Sequence, residues 1–181
     1  MSEKVTSPPS TSGYTQIGER TVRKVAASVG TSATALPPLY GEIDPDALER
    51  LFGGREDNPG RLEFRYVNHH VVVRSNGTIT VSPIDDLEPA DPDGTVLAWG
   101  GDRPLCLSIV EAVAATTDDE PTAMEPLYDV VDPEALEDIV SQAPPQNGGT
   151  IAAQFQYSGC VVSVAATGSI HIDVACETLY N

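Results

Sequence analysis

Pro38-Leu39-Tyr40 and, after three further residues, Asp44-Pro45-Asp46-Ala47-Leu48 form the stretch from which the fold can be read. The same arrangement returns as Pro126-Leu127-Tyr128 and Asp132-Pro133-Glu134-Ala135-Leu136. The spacing within the two copies is identical, and Pro38 and Pro126 lie 88 residues apart. The sequence therefore predicts a tandem repeat.

Each copy carries the start signal of a helix. Asp44 and Asp132 are good N-caps, because a carboxylate can accept hydrogen bonds from the free N–H groups of the first turn. Pro45 and Pro133 fall at the first helical position, where a missing N–H costs nothing. An acidic residue follows each proline and suits the positive end of the helix dipole. The stretch is a folding signal and has no chemistry of its own.

A second helix is predicted before each of these stretches. In the first copy the apolar residues fall at i, i+3, i+4 and i+7, and the helix should end at Gly30. In the second copy Ser108 and Glu111 have capping-box spacing and predict the helix start. The predicted buried stripes are Val22, Val25, Ala26 and Val29, and then Val110, Val113, Ala114 and Thr117.

Three strands are predicted after the capped helix of each copy, from apolar residues that alternate with polar ones. The apolar pattern predicts two-residue loops at Asn68-His69 and Gly159-Cys160. It also predicts three-residue loops ending in glycine at Ser75-Asn76-Gly77 and Ala166-Thr167-Gly168. The strand residues expected to face the helices are Leu62, Phe64, Tyr66, Val71, Val73, Ile79 and Val81, and then Ala153, Phe155, Tyr157, Val162, Val164, Ile170 and Ile172.

The fold class is therefore α+β: two tandem repeats, each with two short helices packed on a three-stranded antiparallel β-meander. We expect a flexible leader over residues 1–18, one repeat over 19–82 and the other over 108–181. Residues 83–107 read as an acidic, proline-broken linker that contains a short strand at Val96-Leu97-Ala98-Trp99. We interpret this strand as packing between the repeats.

The charge is the most unusual bulk property of the 181-residue chain. It has 27 acidic and 10 basic residues, for a net charge of −17. Such self-repulsion is tolerated when salt screens it, so the composition indicates either adaptation to a salt-rich cytoplasm or an ordinary acidic protein. A phosphate-tracking nucleic-acid surface is disfavoured. Residues 104–181 hold twelve acidic residues and no Lys or Arg, so the two repeats cannot present the same electrostatic face.

The sequence predicts neither a membrane protein nor a secreted one. No apolar run approaches the roughly 18 residues that a membrane span needs. The N-terminus lacks the basic and then apolar pattern of a signal peptide. We therefore expect a cytoplasmic protein.

No catalytic, metal-binding or cofactor-binding constellation is predicted. His69 and His70 are adjacent, so on a strand they point to opposite faces and form a poor chelator. Cys106, Cys160 and Cys176 have neither metal nor redox spacing and read as structural thiols. No nucleophile elbow and no phosphate-binding glycine loop is present. We expect a protein that is not an enzyme and that has no cofactor.

Five residues are candidates for contact with a partner. Arg65 and Arg74 fall on the outer face of the predicted sheet, where His70 and Glu63 also point, and form a local basic patch in an acidic protein. A solvated sheet face is the alternative. Tyr40 and Tyr128 recur before the capped helices and either anchor a partner or seal the core between helix and sheet, and their position favours the second.

Both copies resemble the halobacterial output domain of type one. The resemblance rests on the order Val-x-x-Val-Ala, Pro-Leu-Tyr, Asp-Pro-[Asp/Glu]-Ala-Leu and Phe-x-Tyr, followed by a valine-rich strand that ends in a glycine turn. It covers about residues 20–82 and 108–174. It implies a haloarchaeal signal-output module with no catalytic residues to transfer. The second copy departs from the first in having no basic residue.

Three functional hypotheses follow. The leading one is a non-enzymatic regulatory protein that contacts a protein partner through the sheet face or the edge strands. The tandem could imitate a dimer of single-copy relatives, and a homo-oligomer stays open. The second is nucleic-acid-linked regulation in which Arg61, Arg65 and Arg74 touch phosphate. The third is a small-molecule sensor with a pocket between the repeats near Trp99.

Overall fold

The computed structural model describes residues 16–53, 55, 57–84, 95–141 and 151–174. In these residues four α-helices and seven β-strands follow one another, with short 3₁₀ turns at Ala33–Ala35, Leu39–Gly41 and Leu127–Asp129. The elements in chain order are α1 (Gln16–Val29), α2 (Pro45–Leu51), β1 (Gly60–Tyr66), β2 (His69–Arg74), β3 (Ile79–Pro83), β4 (Thr95–Ala98), α3 (Leu105–Thr117), α4 (Pro133–Ser141), β5 (Ala152–Tyr157), β6 (Cys160–Ala165) and β7 (Ser169–Val174).

All seven strands belong to one antiparallel sheet with the order β3-β2-β1-β5-β6-β7-β4. The prediction of an α+β fold with two meanders is confirmed in its outline. The two meanders are not separate sheets, however, because β1 pairs with β5 and joins them edge to edge. Joining satisfies backbone groups that each meander would otherwise leave open along an edge.

The two repeats are related by an approximate twofold axis at this joint. Leu62 pairs with Ala153, and these two residues occupy equivalent positions of the two meanders. In the helical layer Arg50 Nη2 lies 3.0 Å from Asp138 Oδ2, and these positions are also equivalent, 88 residues apart. A residue can meet its own equivalent only at a twofold axis. The tandem therefore has the geometry of a symmetric dimer.

The helices cover one face of the sheet. The aromatic side chains that point inward from the strands, Phe64, Tyr66, Phe155 and Tyr157, are at most 1% exposed. They form one continuous hydrophobic cluster with residues of α2, α3 and α4 that spans both repeats. Burial on this side alone gives the strands their period-two pattern.

The N-caps predicted for the second helix of each repeat are confirmed. Asp44 Oδ1 accepts hydrogen bonds from the N–H groups of Asp46 and Ala47 at 2.8 and 3.3 Å. Asp132 Oδ1 accepts from the same two positions of the other repeat, both at 3.1 Å. The helices begin at Pro45 and Pro133, as the sequence predicts.

The predicted start of α3 is wrong. The helix begins at Leu105, and Ser108 lies inside it, 8% exposed, with its hydroxyl donating to the Pro104 carbonyl. The cap comes from another helix instead, since Glu137 Oε2 accepts from the Leu105 N–H at 3.1 Å. In the first repeat Glu49 Oε1 accepts from the Ile17 N–H at 3.3 Å.

The stripe predicted for α1 is partly wrong. Val25 and Ala26 are buried, but Val29 is 45% exposed because the helix ends at this residue and Gly30 turns the chain away with a φ of +74°. In α3 Val113 and Ala114 are buried, as predicted.

The two-residue loops are displaced by one residue from their predicted positions. They consist of Val67-Asn68 and Ser158-Gly159, all with positive φ, as a type I′ hairpin turn requires. Cys160 opens β6 and is fully buried. The glycine loops are confirmed: Val73 pairs with Ile79 and Val164 with Ile170, and Gly77 and Gly168 have positive φ.

The strand that contains Leu97 does not pack between the repeats. This strand, β4, pairs with β7 at the outer edge of the sheet, and the Trp99 N–H donates to the Gly168 carbonyl at 2.6 Å. A Cβ at Gly168 would lie 2.5 Å from the Trp99 carbonyl oxygen, so this close approach requires glycine. A pocket at the joint between the repeats could not include Trp99.

Two of the predicted segments lie partly outside the described residues. Helix α1 begins at Gln16, within the stretch predicted as leader, and residues 1–15 lie outside the described residues. The acidic part of the predicted linker, residues 85–94, lies outside them as well. Strands β3 and β4, on either side of this stretch in sequence, form opposite edges of the sheet. Among the helices of the described residues, none is long and apolar enough to cross a membrane.

Candidate functional site: the open face of the sheet

The strand side chains that point away from the helices form a surface that no described element covers, and we call it the open face. In the first repeat it carries Arg61, Glu63 and Arg65 from β1, and His70 and Arg74 from β2. These residues are half-buried or exposed, in contrast to the buried residues between them. The predicted placement of Arg65, Arg74 and His70 on one outer face is confirmed.

Cross-strand pairing sets the distances on this face. Arg61 lies directly opposite Arg74, and Arg65 lies opposite His70. The Ser75 N–H donates to the Gly60 carbonyl, which places the neighbouring Arg61–Arg74 pair at a position without mutual backbone hydrogen bonds. Side chains are closest at such positions, with Cα atoms about 4.5 Å apart. Two guanidinium groups therefore share one end of the hairpin.

Glu63 is the anionic centre of the first-repeat face. Its Oε2 lies 3.1 Å from His70 Nε2, and its Oε1 lies 2.9 Å from Arg61 Nε. The Arg61 contact is an ion pair without good hydrogen-bond geometry, since this Nε is buried without a hydrogen-bond partner among the described atoms. The Glu63 carboxylate thus contacts both Arg61 and His70.

Arg65 and Arg74 have no such partner. Within the described part of the chain, no acidic side chain lies within 4 Å of either guanidinium group, and both side chains are exposed. The first-repeat face therefore keeps positive charge that its own residues do not neutralise.

The open face of the second repeat is uncharged over most of its area. The positions equivalent to Arg61, Arg65 and Arg74 hold Ala152, Gln156 and Ala165. Gln154 Nε2, at the position of Glu63, donates to Ser163 Oγ at 3.0 Å. The face continues across the joint without a break, because Arg61 pairs with Gln154 and Glu63 with Ala152. Among the described strands its one acidic residue is Asp173, on β7.

The two candidate tyrosines lie on the other side of the molecule. Tyr40 and Tyr128 are 68% and 61% exposed in the 3₁₀ turns of the helical layer, so the prediction that they seal the core is wrong. Their neighbours Leu39 and Leu127, each 6% exposed, fill that place. The five candidates therefore divide into three on the open face and two on the helical layer.

Tyr128 takes part in a contact between the repeats that sequence reasoning missed. The Arg55 guanidinium carbon lies 4.5 Å from the centre of the Tyr128 ring, and Arg55 Nε donates to the Tyr128 carbonyl at 2.6 Å. No local pattern connects residues so far apart in sequence. This cation–π contact gives the exposed ring of Tyr128 a structural role.

The histidines and cysteines do not form a reactive centre. His69 bonds to Ser28 Oγ on the helical side at 3.0 Å, whereas His70 faces Glu63 on the open side. Burial raises the pKa of the Cys160 thiol, and the charge of Asp173 adds to this, so the thiol stays protonated. The described residues contain no group of three His, Cys, Asp or Glu side chains that could hold a metal ion.

Comparison with known proteins gives one match. The family model described as halobacterial output domain 1 matches residues 13–83 and 101–174, one segment for each repeat. These segments include the capped helix and the meander of each copy. No curated protein and no solved structure matches the chain significantly.

Proposed function

The chain belongs to the halobacterial output domain 1 family, and on this premise we propose that it is a non-enzymatic regulatory protein that acts by binding a protein partner on the open face of its sheet. The observation that carries the proposal is a sheet face that no element of the described residues covers. A seven-stranded face is about 29 Å wide between its outer strands, and six-residue strands are about 20 Å long. These dimensions give about 580 Å², roughly three quarters of the 800 Å² that each partner contributes to a standard interface.

The side chains of the open face support binding rather than solvation. The second repeat has twelve acidic residues from residue 104 onward, yet its described strands place one of them, Asp173, on this face. The rest of the face is built from small or neutral side chains such as Ala152, Gln154 and Ser163. Depletion of charge is a mark of interface centres.

The β3 edge of the sheet is less suited to binding than the face. By the alternation of the β2–β3 ladder, Ile79, Val81 and Pro83 direct their backbone groups outward from β3. Lys24 Nζ already donates to the Ile79 carbonyl at 2.7 Å, and Pro83 has no N–H. A lysine and a proline on an edge are common devices against strand addition. We therefore place the contact on the face.

The test is a footprint of a captured partner. The full-length chain is used as bait under high-salt conditions, and the purified complex is labelled with hydroxyl radicals beside the free protein. We expect the partner to lower the labelling of open-face residues such as Val72 and Val161, and to leave Tyr40 in the helical layer unchanged. Protection of the helical layer instead of the sheet, or failure to recover any stoichiometric partner, would contradict the proposal.

A further inference from the structure

We propose that the arginine row, defined as Arg61, Arg65 and Arg74 on the open face, binds a segment of the partner protein that carries spaced carboxylates. This inference rests on the proposed function, since it names the chemistry of the partner on the same face. Its first support is an electrostatic cost within the sheet. Arg61 and Arg74 are directly opposite each other, and like charges at such positions destabilise a sheet.

The described strands around these two residues do little to relieve this cost. Glu63 is the one acidic residue of β1, β2 and β3, and it already serves Arg61 and His70. Three permanent cations therefore face one carboxylate, in a protein whose net charge is −17. An anion from outside would relieve the repulsion between Arg61 and Arg74 and would pair with Arg65, which has no acidic partner among the described residues.

The spacing of the row fits an extended acidic peptide. Arg61 and Arg65 are four residues apart on one face of β1, which is about 13 Å. Arg74 stands beside Arg61 on the neighbouring strand. Guanidinium groups bind carboxylates by two parallel hydrogen bonds, so two carboxylates about 13 Å apart would engage both ends of the row.

Glu63 favours a peptide over a nucleic acid. It lies midway between Arg61 and Arg65 on the same face of β1. A nucleic-acid strand carries a charge on every nucleotide, and a phosphate would be brought against this carboxylate. A peptide can place a neutral residue there. The arrangement of cation, anion and cation is thus selective for spaced charges.

The acidic helical layer does not prevent an acidic ligand from binding. The layer packs on the opposite side of the sheet, and a helix with its side chains is about 10 Å across, so charges on the outer surface of the layer lie at least that far from the row. The Debye length is about 8 Å at physiological ionic strength, so charges at that distance are largely screened for exposed groups. The local positive charge of the row therefore dominates for a ligand in contact with it.

The test uses the full-length chain and fluorescent peptides. One peptide repeats Glu-Ser-Thr-Ser so that carboxylates recur every four residues, a second has Gln in place of Glu, and a single-stranded oligothymidine serves as a nucleic-acid probe. We expect the Glu peptide to bind and the other two to bind at least tenfold more weakly. Arg65→Gln and Arg74→Gln should each weaken the Glu peptide by about tenfold.

Arg23→Gln is the matched control, because it removes the same charge from an exposed position of α1 in the helical layer. It should leave peptide binding unchanged. Absence of binding by the Glu peptide, equal loss in Arg23→Gln, or tighter binding of the oligothymidine would overturn the inference. A partner that protects the open face but binds Arg65→Gln and Arg74→Gln normally would overturn the inference and leave the proposed function standing. A partner that lowers the labelling of the helical layer alone would contradict both the inference and the proposed function.

Discussion

Two buried tyrosines carry the same long-range hydrogen bond in both repeats. Tyr66 Oη donates to the Pro37 carbonyl at 2.6 Å, and Tyr157 Oη donates to the Glu125 carbonyl at 2.7 Å. Each bond ties the end of a central strand to the loop just before the Pro-Leu-Tyr turn. The sequence identified both rings as core residues from their alternation, but the partners of the hydroxyl groups could not be read from it.

Alkaline pH should destabilise the protein through these two groups. Burial, followed by the charges of Glu42 and Glu125 respectively, raises the pKa of Tyr66 and of Tyr157. A raised pKa in the folded state adds stability that is complete below the unfolded value of about 10 and is lost as the pH rises through the folded values. We expect the denaturation midpoint to fall above about pH 10.

The check is urea unfolding from pH 8 to 11 in the wild type and in the double variant Tyr66→Phe/Tyr157→Phe. The variant should be less stable at pH 8, because two buried acceptors lose their donors, and should show a flatter decline with pH. Tyr40→Phe, at an exposed ring, is the control and should follow the wild type. If the stability of the double variant declined as steeply with pH as that of the wild type, the alkaline destabilisation could not be assigned to Tyr66 and Tyr157.

Gly168 is the residue on which the attachment of β4 depends. Gly168→Ala would add strain at a φ of +83° and bring a Cβ to 2.5 Å from the Trp99 carbonyl oxygen. Gly159→Ala is the matched control, because φ is +75° but nothing lies within 4 Å of the added atom. We expect the control to lose about 1–2 kcal/mol of stability from strain alone, and Gly168→Ala to lose clearly more.

Trp99 supplies the readout for this pair. Its indole N–H donates to the Arg103 carbonyl at 2.7 Å, in the turn that leads from β4 to α3. Release of β4 should shift the Trp99 emission to longer wavelength in Gly168→Ala and leave it unchanged in Gly159→Ala. Equal spectra and equal stability losses in the two variants would show that the close approach of Gly168 to Trp99 does not contribute to the attachment of β4.

Among the helices and strands, the sequence predicts correctly what depends on neighbouring residues. It does not predict contacts between elements that are far apart in the chain. The capped starts of α2 and α4 depend on residues within one turn, so the sequence contains the whole signal. The cap of α3 comes from Glu137 on another helix, and a capping box at Ser108 was therefore predicted in error. Strand β4 was likewise placed at the wrong location, because its partner β7 lies about 75 residues further along the chain.

The two N-caps should make equal and separate contributions to stability. Asp44→Ala and Asp132→Ala each leave two N–H groups of the first turn without their side-chain acceptor, and each should cost about 1 kcal/mol. Chemical denaturation measures the loss. Asp44→Asn and Asp132→Asn keep a capping oxygen and should remain close to the wild type. Losses in the asparagine variants as large as in the alanine variants would point to the charge instead of the cap.

At the scale of the whole molecule the two repeats form one structural unit. The sheet runs through the β1–β5 joint, and one hydrophobic cluster includes residues from both repeats. The tandem repeat could be predicted from the sequence, because the motif of the first half returns in the second half with the same spacing. The joint could not, since nothing in a strand's own residues shows whether its free edge meets another strand of the same chain.

We therefore expect heat to unfold both repeats in a single transition. The calorimetric enthalpy should equal the van't Hoff enthalpy, as it does for a two-state domain. Differential scanning calorimetry at several salt concentrations makes the measurement, since salt screens the net charge of −17 and should move the midpoint upward without splitting it. Two resolved transitions would mean that each repeat folds on its own and that the joint adds little.

The twofold axis through Leu62 and Ala153 has a consequence for valency. In a dimer of identical chains every surface change occurs twice, so a basic patch on one half would be copied on the other and two ligands would bind. Fusion of the halves removes that constraint, and here the equivalents of Arg61, Arg65 and Arg74 in the second repeat are alanine, glutamine and alanine. Under the function proposed above, the molecule keeps the framework of a symmetric pair with a single, directional attachment point, and we expect one chain to engage one partner.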